Sequence, residues 1–142
     1  MMKRILAFDV GDRRIGVAVS DALGITAQPV ETYHRKGGAE KDAEYLLALA
    51  KRYAPCTLLF GLPRNMDGTY GEQAEKVKKF AQRLIDRWDG DYAFYDERLT
   101  TMAARRVLLD ADVSREKRKQ VIDKMAAVVI LQGYMESHRD KL

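Results

Sequence analysis

The sequence predicts an α/β three-layer domain, a five-stranded mixed sheet with helices on both faces. Three observations predict it. The chain opens with a strand meander whose residues alternate at period two. From Ala39 onward, helical periodicity alternates with short apolar runs, the pattern of strands joined by crossover helices. The chain then closes on a long apolar helix, and 142 residues suffice for one such domain, 1–142, with a core that needs no cross-links.

Each element has its own signal. Lys3 to Val10 is an apolar run ended by turn material, Gly11-Asp12-Arg13. Ile15, Val17 and Val19 then alternate with Gly16, Ala18 and Ser20, giving a strand one branched face and one small face. Thr26 to Tyr33 reads as a third strand, and Pro29, which has no N–H, places it at the sheet edge. Ala39, Ala43, Leu46, Leu47, Ala50 and Tyr53 line one face of a helix that Pro55 stops. Leu58-Leu59-Phe60 is a short buried strand ending at Gly61. Thr69 and Glu72 have capping-box spacing. The helix they open presents Ala74, Val77, Phe80, Ala81, Leu84, Ile85 and Trp88 on one side, and Gly90 ends it. Tyr92 to Tyr95 is the fifth strand. Thr100 or Thr101 caps a helix through Leu109, and Ser114 caps the last helix, which runs to about Ser137.

Composition narrows the function classes. With 46% hydrophobic and 32% charged residues, the chain is an ordinary soluble globular protein. Cys56 is the only cysteine, which excludes a disulfide framework and a thiolate zinc site; its apolar neighbours make it buried filler. The basic start Met1 to Phe8 is cut by Asp9 far short of a signal peptide. No stretch approaches the ~20 apolar residues of a membrane span, so a cytoplasmic protein with no membrane partner is expected. A net charge of +4 and a pI near 9.2 permit a polyanionic partner.

The strongest chemical signal is a set of acids in apolar surroundings. Asp9 ends the run Ile5-Leu6-Ala7-Phe8, and Glu97 follows Ala93-Phe94-Tyr95 by one residue. Asp123 lies between Val121-Ile122 and the run Met125 to Leu131, with Ala126 and Ala127 as its helical neighbours. A carboxylate so placed is costly unless it is paired or bound to metal. Asp9 and Glu97 leave strands at the carboxyl end, where sites of open α/β sheets gather. Three carboxylates brought together repel one another, and a divalent cation is the simplest remedy. All-oxygen ligands favour Mg2+, with Mn2+ as the alternative, over zinc. The competing explanation for each acid is a helix cap or half of an ion pair.

Basic residues accompany the acids: Arg13 and Arg14 after Asp9, Arg98 after Glu97, Arg105 and Arg106 beyond it, and Arg115 to Lys119 before Asp123. The loop Gly61 to Thr69 carries Arg64 and is either plain turn chemistry or a phosphate-facing loop at a helix start. This distribution suits neutralising a polynucleotide backbone, although a solvated helix face explains any single cluster. Gly11 and Gly16 have P-loop spacing, but Val17-Ala18 stands where Lys and Ser or Thr are required. His34 and His138 lie in polar surroundings and read as surface residues.

Four segments carry a family resemblance. Phe8-Asp9-Val10-Gly11 with Arg14 to Asp21, Gly61-Leu62-Pro63 to Thr69, Asp96-Glu97-Arg98-Leu99-Thr100-Thr101, and Ile122 to Ala127 with Ile130-Leu131-Gln132 resemble the motifs of the YqgF family, in order and at matching spacing. That family is described as Holliday-junction-resolvase-like and as nucleases of the precursor of small-subunit ribosomal RNA. The resemblance covers nearly the whole chain. It implies an RNase-H-like fold and a metal-dependent nuclease whose carboxylates match Asp9, Glu97 and Asp123. It leaves open whether the partner is structured RNA, with ribosome association, or branched DNA, and whether the protein is a monomer or a homodimer. From their placement beside the acids and in the 61–69 loop, Arg13, Arg14, Arg64, Arg98, Arg105 and Lys119 are the expected nucleic-acid-binding cations.

Overall fold

The computed structural model describes residues 3–63, 67, 69–96 and 115–138, the side chains of the last helix from 125 on. Strands β1 (Arg4–Val10), β2 (Arg14–Ser20) and β3 (Ala27–His34) form the opening meander. Helix α1 (Ala39–Arg52), strand β4 (Cys56–Leu62), helix α2 (Glu72–Ile85), strand β5 (Tyr92–Asp96) and helix α3 (Arg115–Ser137) follow. The sheet order is β3-β2-β1-β4-β5. The meander pairs antiparallel, whereas β4 pairs with β1 and β5 with β4 in parallel, as their helical crossovers require.

The two faces of the sheet bury different residues. Leu6, Phe8, Ile15, Val17, Leu58 and Phe60 pack against α1 and α2 in the larger core. Phe8 and Phe60 lie in tilted contact at 5.5 Å within it. The opposite face is small: Ala7 and Ala18 meet Ala127, Ile130 and Leu131 of α3, and all five are fully buried. The branched and small faces of β2 thus go to opposite layers, as the period-two pattern requires. Small residues on both sides let α3 lie close to the sheet. Gly133 does the same at β5, because a Cβ there would sit 2.7 Å from the Tyr95 hydroxyl oxygen.

Pro29 sits in the edge strand, where a register shift near Val17/Ala18 accommodates it. Cys56 is buried, and burial pushes its thiol up to about 11. Two expectations are corrected. The capping box does not form: Gly71 is the N-cap of α2, and Thr69 instead donates its N–H and hydroxyl to Asp67 Oδ1 at 2.9 and 2.6 Å. A short Asx-type turn competes successfully with the cap. The same helix ends at Ile85 rather than at Gly90, since Arg87 and Trp88 donate to carbonyls three residues back, tightening the last turn. The helix expected from Thr100 or Thr101 lies outside the described residues.

Candidate active site at the strand-end rim

Asp9 shares its strand parity with Ile5 and Ala7, both in the α3-side core, so its carboxylate belongs to that face. Asp9 pairs with Gly16 on β2. On the other side the parallel register Phe8↔Phe60 puts Gly61 next to it, and Gly61 pairs in turn with Tyr95. The row across the sheet therefore reads Gly16, Asp9, Gly61, Tyr95. The positions beside Asp9 on both flanking strands are glycines, and Asp9 is half-buried. A carboxylate at the end of a central strand has the oxygen donor type that a hydrated divalent ion needs.

The helix that carries Asp123, α3, packs on this same face against β1, β2 and β3. Ala126 and Ala127, its neighbours one turn on, are fully buried there. Glu97 and the Asp123 side chain lie outside the described residues, as do Arg64, Arg98, Arg105 and the side chain of Lys119. Among the described residues no group of three or more potential metal ligands is assembled. Arg13 is exposed in the β1–β2 turn, and Arg14 is half-buried as β2 begins.

Of the two histidines, His34 is exposed as expected. His138 is half-buried, its ring stacked on Tyr134 at 4.0 Å with Nδ1 2.8 Å from the Tyr134 carbonyl oxygen.

The turn after Asp9 is held by a network that local sequence does not reveal. Gly11 donates its N–H to the Arg14 carbonyl at 2.9 Å. A Cβ on Gly11 would lie 2.8 Å from that same oxygen, so only glycine fits. Arg35 donates its backbone N–H to the Arg13 carbonyl and its Nη1 to the Gly11 carbonyl, each at 2.9 Å. Its Nε donates to Asp42 Oδ2 at 2.8 Å, and the Tyr33 hydroxyl donates to Asp42 Oδ1 at 2.9 Å. Asp42, on α1, is 1% exposed. Burial, then the hydrogen bond to Asp42, raises the Tyr33 hydroxyl above its ordinary pKa. The guanidinium also lies 4.8 Å over the Phe80 ring of α2. Arg35 thus ties the Asp9 turn to both helices of the other layer.

Beside this network lies a cavity of about 520 Å³, lined among others by Asp12, Lys36, Lys76, Lys79 and Arg83. The sequence reading missed it. A signal was present, since Lys76, Lys79 and Arg83 recur at helical spacing along the border of the apolar stripe of α2.

Comparison with known proteins decides the family. Residues 3–137 match the RuvX family, described as Holliday junction resolvase. The chain belongs to the RuvX family. Proteins similar to this RuvX chain include one from Clostridioides difficile (strain 630), 54% identical, with 94% of each chain covered. A Clostridium novyi (strain NT) protein is 52% identical over 94% of this chain and 98% of its own. One from Halalkalibacterium halodurans is 50% identical over 97% and 99%. All three carry the name "Putative pre-16S rRNA nuclease". Among solved structures, Thermus thermophilus RuvC in complex with Holliday junction substrate superposes with a TM-score of 0.59 at 14% identity, covering 97% of this chain and 96% of RuvC. A second RuvC structure from the same organism gives 0.52 at 13% identity. The expected RNase-H-like fold is therefore the fold observed in this RuvX chain.

Proposed function

We propose that residues 1–142 act as one nuclease domain that hydrolyses phosphodiester bonds of structured RNA in maturation of the 16S ribosomal RNA precursor. The observation that carries the reading is Asp9 on the central strand of a RuvX chain, at the strand-end rim and flanked by two glycines. The names of relatives about half identical in sequence support the RNA substrate. The fitting cofactor is Mg2+, with Mn2+ as substitute, held by Asp9, Glu97 and Asp123. When bound, such an ion supplies Lewis acidity, lowering the pKa of an attacking water and offsetting charge on the departing oxygen. Asp9 fixes the position of that chemistry, because its strand is hydrogen-bonded on both sides. Arg13 and Arg14, beside the turn, neutralise backbone phosphates, as do Arg64, Arg98, Arg105 and Lys119 in the same reading. The work is cytoplasmic and ribosome-linked.

A second reading keeps the chemistry and takes four-way DNA junctions as substrate. The RuvX family description and the shared RuvC fold favour it. One experiment separates them: incubation of the purified protein with precursor RNA and junction DNA side by side, with Mg2+ or Mn2+, against Asp9→Asn. The expected result is that the RNA is cut, the junction is spared, and the variant is inactive but still folded and RNA-binding. Paired nicks in the junction by a stable dimer transfer the assignment to the second reading. Full cleavage by Asp9→Asn refutes the site. Absence of both cleavage and calorimetric Mg2+ binding leaves a nucleic-acid-binding module.

A further inference from the structure

We propose that the cavity on the α1–α2 side of the β1–β2 turn is a phosphate-binding subsite that grips the polynucleotide backbone away from the reaction centre. The proposal rests on the nuclease reading and extends it to a surface on the opposite face of the sheet from Asp9.

The cavity is strongly cationic. Arg35, Lys36, Lys76, Lys79 and Arg83 line it against two acids, Asp12 and Asp42. The cations divide by what already occupies them. Arg35 is committed to Asp42 and the Gly11 carbonyl. Arg83 lies 3.2 Å from Glu40, and Lys76 lies 3.6 Å from Asp12 across an exposed gap. Lys36 and Lys79 make no ion pair or hydrogen bond among the described residues, and both are exposed. Two uncommitted ammonium groups and two loosely paired cations around one concavity leave an unneutralised field that an anion would fill.

The shape selects the anion. About 520 Å³ is enough for a phosphate with its adjoining sugar. The lining carries no side chain at Gly37 and Gly38, and a Cβ at Gly38 would meet nothing within 4 Å. Gly38 sits at φ +101, a backbone state that favours glycine, so this gap is built into the turn. Val10, Gly11 and Asp12 form one wall, and they are the residues that directly follow Asp9. A strand engaged at the Asp9 rim that crosses the β1–β2 turn therefore arrives at Lys36 and Lys79. That continuity favours a backbone phosphodiester over a free nucleotide.

The test is fluorescence anisotropy and steady-state cleavage with structured RNA, comparing the full chain with Lys36→Gln/Lys79→Gln. A control, Lys51→Gln/Arg52→Gln, removes the same charge at the far end of α1. The cavity variant is expected to lower the slope of log affinity against log salt by about 2, near one per lost phosphate contact. Its KM should rise about ten-fold at low salt while kcat stays within about two-fold, as expected for lost uniform binding. The control should move neither quantity comparably. Unchanged slope and KM in the cavity variant overturn the subsite, as does an equal effect of the control. Titration of inorganic phosphate and of a nucleoside monophosphate forms the second arm. Tight binding of either that Lys36→Gln/Lys79→Gln abolishes, with RNA affinity unaltered, replaces the backbone grip by a small-anion site. Failure of the unmodified chain to bind or cleave RNA or junction DNA instead strikes the nuclease reading.

Discussion

Asp42→Ala is the substitution whose cost the structure best defines. The carboxylate is 1% exposed and holds two partners, Arg35 Nε at 2.8 Å and the Tyr33 hydroxyl at 2.9 Å. Both bonds end on the carboxylate and are charge-assisted, so losing each costs about 1.5 kcal/mol. The sum, about 3 kcal/mol, falls at the low end for breaking a buried ion pair. The low end is appropriate because the Arg35 side chain is 20% exposed and regains some water. Urea unfolding reads the effect: with a slope of about 2 kcal/mol per molar, the midpoint drops by about 1.5 M. Asp42→Asn keeps an acceptor for one partner and should lose about half as much. Arg35→Ala combined with Asp42→Ala should cost less than the sum of the single changes, because each single change strands the other's partner. An Asp42→Ala midpoint within about 0.3 M of the unmodified chain, or strict additivity of the pair, refutes the reasoning.

Further expectations concern cofactor, packing and pH. Chelation of divalent ions should abolish cleavage and Mg2+ should restore it, read by gel assay; activity that survives exhaustive chelation contradicts the carboxylate reading. Gly133→Ala should destabilise despite the better helix propensity of alanine, since its Cβ would lie 2.7 Å from the Tyr95 oxygen and 3.1 Å from the ring. Tyr95→Phe removes the nearest atom and should recover part of the loss in thermal melts; no recovery places the strain elsewhere. The Cys56 thiol is raised from 9.0 to about 11, so the folded state holds its proton longer than the unfolded chain. Its stabilising contribution is complete below pH 9.0 and is lost as pH rises through about 11, up to about 3 kcal/mol for a shift of that size. Cys56→Ala should therefore flatten the alkaline fall in unfolding free energy across that window, and an unchanged slope would mean the thiol is not the titrating group.

The layering was legible because it is written at short range. The two faces of β2, branched and small, can be read residue by residue from Ile15 to Ser20, and Pro29 announced its edge. Asp9 stood out as a charge closing an apolar strand. Its glycine flanks did not, because Gly16 and Gly61 become its neighbours only through two strand registers of opposite sense. Arg35 and Asp42 were unreadable for a related reason. Their partnership also involves Gly11 and Phe80, so no one stretch of sequence contains it. The Thr69 box failed at the local level, where Asp67 gave the Thr69 N–H a nearer acceptor than Glu72 and drew the hydroxyl into donating rather than capping.

The sheet order sets Asp9 in the middle strand, with two strands beyond it on the β2 side and two on the β4 side. Fraying begins at margins, so amide protons around Phe8 and Asp9 should exchange with deuterium only through global opening, whereas those of β3 and β5 exchange through local excursions. In the proposed nuclease the Asp9 carboxylate would then inherit the full folding free energy as its rigidity, while the lysine-rich concavity near the Gly37-Gly38 segment would stay free to adapt. On the proposed reading, evolution or engineering could retune binding by rewriting the periphery without loosening the strand that carries Asp9.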